Sequence, residues 1–269
     1  MPQGSGATRV RWLGTAGFAV EHGAHTLLID PYLTRAPWWR CLAAPLAPDE
    51  ALLARLLPRA DAIILGHTHF DHALDTPALA RRTGALVFGS DSAHALCRAQ
   101  GVPEAQLRAP RETEVGPFRL RFFPSAHSRF LLGRVPFPGD IADCDQVPLR
   151  AHQYRCGAVF GVEIEVAGKR IFHLGSAELL ETALPRRETD LLLLCVAGWQ
   201  SSAQLPERAA RALTPRAVLL SHWDDFLQPL EAGARLLPAM QLPRLVDRLS
   251  AATREARIGT LPLLGELRL

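Results

Sequence analysis

A single lysine, Lys169, stands in a chain of 269 residues. Basic charge is therefore carried by arginine, and the formal net charge is only +3. The arginines are spread along the chain, whereas a nucleic-acid footprint is a clustered stripe, so no nucleic-acid partner is expected. No apolar run approaches the length of a membrane span. The N-terminus has no basic region followed by an apolar stretch, so no signal peptide is visible. The five cysteines, Cys41, Cys97, Cys144, Cys156 and Cys195, are scattered and form no C-x-x-C pair. Free thiols in a reducing compartment account for them most simply, and a cytoplasmic location is the expectation. The bias to Ala, Leu, Pro and Arg fits coding from a GC-rich bacterial genome. What remains is ordinary globular composition, 48% apolar and 21% charged. The length suffices for one domain over residues 1–269 with a sizeable core.

Against that plain background one stretch stands out, Gly66-His67-Thr68-His69-Phe70-Asp71-His72. The apolar run Ala62-Ile63-Ile64-Leu65 leads into it and reads as a buried strand. His67 and His69 are two apart, so on extended backbone they share a side. Asp71 and His72 follow after the turn and approach from another. Neutral imidazole and carboxylate are ligands for zinc and similar divalent ions.

The pattern H-x-H-x-D-H resembles the signature of the metallo-β-lactamase superfamily of metal-dependent hydrolases. Trp12-Leu13-Gly14-Thr15-Ala16-Gly17-Phe18 and Leu28-Ile29-Asp30-Pro31 resemble the opening of its lactonase-like and phospholipase-D-like branch. The resemblance implies an αββα sandwich, with two sheets packed together, helices outside and the metal site at one edge. It implies His127, after the hairpin strand Phe118–Phe123, as a third ligand beside His67 and His69. His222, at the end of the strand Ala217–Leu220, is implied as the last ligand, joining Asp71 and His72. Asp71 would also orient and deprotonate the attacking water. Asp30 at a strand end suits a partner for the far nitrogen of a ligand histidine.

The family pattern breaks at Leu174-Gly175-Ser176, where relatives carry an aspartate that bridges two metals. A serine hydroxyl is a poor ligand beside a carboxylate. One ion, Zn²⁺ with Mn²⁺ or Fe²⁺ as alternatives, is therefore expected to be held firmly, and a second weakly or not at all. Glu178, Asp224 and Asp225 are the candidates to supply the missing carboxylate. A long loop over residues 130–157 begins beside His127 and reads as a lid or pocket wall. Arg129, Arg134, His152, Tyr154 and Arg155 are its candidate substrate contacts, suited to phosphate or carboxylate; Trp38 is a further candidate wall. The expected function is metal-dependent hydrolysis of an ester, lactone, amide or phosphodiester of a small molecule. The alternatives are a metal- or ligand-binding relative without turnover and a nuclease of the same superfamily.

The secondary-structure reading also places a loop at Ala36–Arg40, a helix over Pro48–Leu57, a helix over Pro243–Ala256 and one closing strand over Thr260–Leu269. His94 and His173 read as structural.

Overall fold

Strands covered on both faces carry apolar residues at every position, each parity facing a different layer. That rule explains the architecture of the computed structural model, which describes residues 6–130, 133–142, 147–184, 187–253 and 255–269. Its first half holds β1 (Arg9–Gly14), β2 (Gly17–His22), β3 (His25–Ile29), β4 (Ala62–Ile64), β5 (Leu86–Phe88) and β6 (Leu107–Arg108). Between them lie α1 (Trp38–Ala43), α2 (Glu50–Leu56), α3 (Phe70–Ala73), α4 (Thr76–Thr83) and α5 (Asp91–Ala99). The second half holds β7 (Thr113–Val115), β8 (Phe118–Pro124), β9 (Phe160–Val166), β10 (Lys169–Leu174), β11 (Leu191–Cys195) and β12 (Ala217–Ser221). Helices α6 (Leu205–Leu213) and α7 (Leu242–Thr253) belong to that half, and β13 (Arg257–Gly259) and β14 (Glu266–Arg268) close the chain.

Two seven-stranded sheets result, ordered β14-β1-β2-β3-β4-β5-β6 and β13-β12-β11-β10-β9-β8-β7. Ala62 and Ile64 join Leu191, Leu193 and Ile164 in the core between the sheets. Ile63 points the other way, into the layer formed with Leu52, Leu53 and Leu79 of α2 and α4. Leu192 and Leu194 likewise face Leu205, Leu213, Leu245 and Leu249 of α6 and α7. The αββα sandwich implied by the resemblance is the observed fold.

Three local expectations change. Of the closing strand expected over Thr260–Leu269 only β14 forms, paired with β1, while β13, just before that span, joins the other sheet beside β12. Trp38 and Trp39 start helix α1 instead of lying in a loop, remain 60% and 54% exposed, and are not among the residues that line the cleft described below. The helix expected from Pro48 begins at Glu50, because Asp49 caps it by accepting from the Leu52 N–H at 2.9 Å. His94 is structural as expected, donating to the Arg108 carbonyl at 3.0 Å. Among the described residues, no helix is long and apolar enough to cross a membrane.

Candidate metal centre

The chemistry-bearing residues collect where strands end. Asp30 follows β3, residues 66–69 follow β4, His127 lies beyond β8, Ser176 beyond β10 and His222 directly after β12. Parallel strands bring such ends to one edge of a sheet, the usual place for ligands in α/β folds. After His69 the chain turns at once into α3, a single helical turn that carries Asp71 and His72 inward.

Two groups form. His67, His69 and His127 offer one ligand atom each, all within 4.8 Å of one another. Asp71, His72 and His222 do the same. The groups adjoin, since the His67 and His72 rings lie 3.8 Å apart.

Hydrogen bonds select the free nitrogen on several rings. His69 donates from Nε2 to the Pro136 carbonyl at 2.8 Å, leaving Nδ1. His127 donates from Nδ1 to the Ser128 carbonyl at 2.7 Å, leaving Nε2. His72 is placed by an ion-pair contact instead, its Nδ1 lying 3.0 Å from Asp30 Oδ2. His67 is 1% exposed, yet neither of its ring nitrogens has a hydrogen-bond partner among the described residues. Buried polar atoms of native proteins rarely go unpaired. A divalent ion would satisfy this set, and the donors are those zinc prefers.

Burial depresses the His67 pKa, and the rings of His72, His69 and His127 depress it further. Burial also lowers His69. His127 falls to about 4, through burial and then the neighbouring His69. Three imidazoles are thus kept neutral, the state in which they bind metal. His72 moves the other way. Its burial lowers the pKa, but the carboxylates of Asp30 and Asp71 outweigh that and raise it. Burial pushes Asp71 up, and His72, His222 and His69 together override it, leaving the carboxyl far below its usual range.

His222 takes a left-handed backbone, φ 58°, which a non-glycine residue holds only under external constraint. The constraint comes from the first hairpin: the His222 N–H donates to the Thr15 carbonyl at 2.7 Å. The Thr15 N–H in turn donates to Asp224 Oδ1 at 3.0 Å. Arg35 closes the arrangement through a fully buried ion pair with Asp224.

Asp224 is therefore not a substitute ligand; its carboxylate is occupied by Arg35 and Thr15. Asp225 accepts from the Leu227 N–H and the Gln228 amide. Glu178 pairs with Arg208 at 2.7 Å. None of these three joins either group. Ser176 Oγ accepts from the Ser128 N–H at 3.1 Å and lines the cleft above the groups. His173 donates to the Ala16 carbonyl at 2.9 Å and stays structural.

That cleft has a volume of about 600 Å³. The loop that follows His127 does border it, through Phe130, Pro136 and Phe137. The expected contacts do not: Arg129, Arg134, His152 and Arg155 are exposed, and Tyr154 is buried in a core cluster with Tyr32 and Phe70. Residues 131, 132 and 143–146 of the loop, among them Asp143, Cys144 and Asp145, lie outside the described residues. A further part of the lining, Leu237 to Met240, has no signal in the sequence, because apolar residues between two helices look like ordinary packing. The Pro136 carbonyl was equally hidden, since any backbone oxygen can accept.

Asp30 binds two parts of the site at once, with Oδ1 accepting from the Gly66 N–H at 2.7 Å and Oδ2 facing His72. Asp30→Asn is expected to weaken binding of the second zinc equivalent by roughly 10–100-fold, the usual effect of losing a carboxylate behind a ligand histidine. Calorimetric zinc titration reads it; unchanged affinity would show that His72 is oriented without Asp30.

The model of the "Beta-lactamase superfamily domain" matches residues 25–223. A UPF0173 metal-dependent hydrolase of Symbiobacterium thermophilum is 29% identical over 229 residues, covering 81% of this chain and 85% of that protein. Another UPF0173 metal-dependent hydrolase, from Anaeromyxobacter sp. strain K, is 30% identical over 245 residues, covering 85% and 78%. Among solved structures, the metallo-beta-lactamase fold protein YhfI of Bacillus subtilis superposes with a TM-score of 0.60 at 14% identity, covering 98% of this chain and 100% of that one.

Proposed function

The chain belongs to the metallo-β-lactamase superfamily, and on that premise we infer that it is a metal-dependent hydrolase acting on an acyl bond of a small molecule. The observation that carries the reading is the pair of adjoining ligand groups, His67/His69/His127 and Asp71/His72/His222, of which all but His67 line one cleft. The relatives named for metal-dependent hydrolysis support it. Zinc is the metal we assign, from a donor set of imidazoles with one carboxylate.

A divalent ion bound there supplies Lewis acidity, lowering the pKa of water toward 7 and drawing charge from the scissile bond. The protein's own part is positional. His67, His69 and His127 stay neutral and would hold the ion. Asp71 Oδ2 is engaged by His222 Nε2 at 3.2 Å, so Oδ1 is the oxygen left to orient the attacking water. A carboxyl held so far below its usual range is a firm acceptor and a weak base. Orientation is therefore the larger role we give it. Ser176 accepts from the Ser128 N–H and keeps its own proton to donate.

Ester, lactone and amide bonds fit this arrangement. A nuclease draws no support from the cleft, because no Lys or Arg is among its described lining residues and phosphate chains are bound through such cations. A second reading, metal binding without turnover, is favoured by one observation, the serine at position 176. The test is turnover of chromogenic esters, lactones, anilides and bis-phosphodiesters by zinc-loaded, chelator-treated and zinc-restored protein. Acyl-bond hydrolysis that disappears on chelation and returns with zinc is expected. Firm zinc binding without turnover on any member would favour the second reading.

A further inference from the structure

We propose that this cleft selects substrates whose portion remote from the reacting bond is uncharged and apolar, such as an alkyl or aryl group of a neutral ester or amide. The proposal deepens the hydrolase reading and rests on it for the position of the reacting bond. Among the described residues lining the cleft, Asp71 is the only acid, and it belongs to the metal centre; Lys and Arg are absent. Beyond the ligand residues the walls are chiefly apolar, with Phe130, Phe137 and Phe226 joined by Leu237, Pro238 and Met240.

The polar side chains on those walls are largely engaged with the protein itself. Gln200 donates its amide to the Ala239 and Met240 carbonyls at 2.6 and 3.2 Å. Ser128 Oγ donates to the Ala197 carbonyl at 3.3 Å. The same bonds make the wall at Ala239 and Met240 firm. Trp199 Nε1 also donates to the Met240 carbonyl at 2.7 Å, and Ala239 and Gln241 on either side hold left-handed backbones, φ 59° and 48°. Such a wall does not turn a hidden cation toward a ligand. A carboxylate or ammonium carried into this space would lose its water and find no opposite charge, which is strongly unfavourable. A methylene carried into it gains about threefold to fourfold in affinity when fully buried. The volume, about 600 Å³, is in the range that takes small ligands nearly whole.

The experiment uses hydroxamates, whose head group binds a metal and whose chain reports on the cleft. Zinc-loaded protein is titrated calorimetrically with acetohydroxamate, butyrohydroxamate, hexanohydroxamate and the carboxylate-ended monohydroxamate of adipic acid. Affinity is expected to rise on the order of 10²-fold from the two-carbon to the six-carbon ligand, with the carboxylate-ended one losing most of that gain. In the variant Leu237→Arg the order of the last two should reverse. A flat chain-length series in wild type, or equal binding of the two six-carbon ligands, overturns the proposal whatever the variant does. Metal-free protein is titrated in parallel with the neutral fluorophore N-phenyl-1-naphthylamine. If no hydroxamate binds while the fluorophore does, and hexanamide displaces it at least tenfold better than adipate, the metal reading fails and the apolar cleft stands. If hexanamide and adipate displace it equally, or it does not bind, the cleft proposal falls on its own.

Discussion

His67→Ala is expected to remove the firmly held zinc equivalent and to reduce kcat/KM by on the order of 10³-fold, the several kcal/mol that a Lewis acid contributes to such a barrier. The reason is its place. His67 lies between the two groups, with its ring centroid 4.8 Å from that of His69, 4.9 Å from His127 and 3.8 Å from His72. Without it two imidazoles remain of a set of three, one fewer than catalytic zinc sites use. Stability should separate this loss from misfolding. In metal-free protein His67 is a buried ring with both nitrogens unpaired, and leaving such atoms unsatisfied costs about 1–3 kcal/mol. The alanine variant should therefore melt no lower than wild type in chelator. In excess zinc the order should invert, because only wild type gains binding free energy on folding. Bound zinc by elemental analysis, paired with melting curves in chelator and in zinc, checks both halves. A variant that keeps its zinc would remove His67 from the ligand set.

The second large effect is expected at Ser176. Two divalent ions about 4 Å apart repel by on the order of 15–20 kcal/mol even at an effective dielectric of 20, and bridging anions offset much of this. The two groups here contain one carboxylate, Asp71, and the three candidate substitutes, Glu178, Asp224 and Asp225, are engaged elsewhere. Wild type is therefore expected to bind one zinc equivalent tightly and a second far more weakly. Ser176→Asp should raise affinity for the second by roughly tenfold or more, since it adds a full negative charge beside both ions. The price is the Ser128 N–H contact, which a carboxylate oxygen can also accept. Calorimetric zinc titration of both proteins decides: two equally tight equivalents in wild type would mean that the serine does not weaken the site.

Much of this centre is legible in the chain because its parts sit at strand ends. Apolar runs such as Ala62–Leu65 and Ala217–Leu220 announce buried strands, and whatever follows them arrives at one edge of the sandwich. The side chains that fill the cleft are not legible in that way. Arginines in the loop after His127 suggest anion binding, but charged side chains gain by reaching water, and Phe130 and Phe137 border the cleft instead. Asp224 illustrates the other limit. Two residues from His222, it looks like a spare ligand, yet the left-handed turn at His222 sends it toward Thr15 and Arg35. Long-range pairs of that kind leave no local periodicity to read. The tail misleads for the same reason, since β13 and β14, separated by residues 260–265, belong to different sheets.

The tie between the first hairpin and the segment after β12 has a consequence for the order in which the protein is made. Arg35 and Asp224 are 189 positions apart, and Asp71 meets His222 across 151. A ribosome delivers His67, His69, Asp71 and His72 early and His222 late. The Asp71/His72/His222 group cannot close until residue 224 has left the exit tunnel and found its arginine. Chains released before that point carry the motif histidines but lack the pair that sets His222, so the finished centre marks a polypeptide translated past its last strand-end ligand.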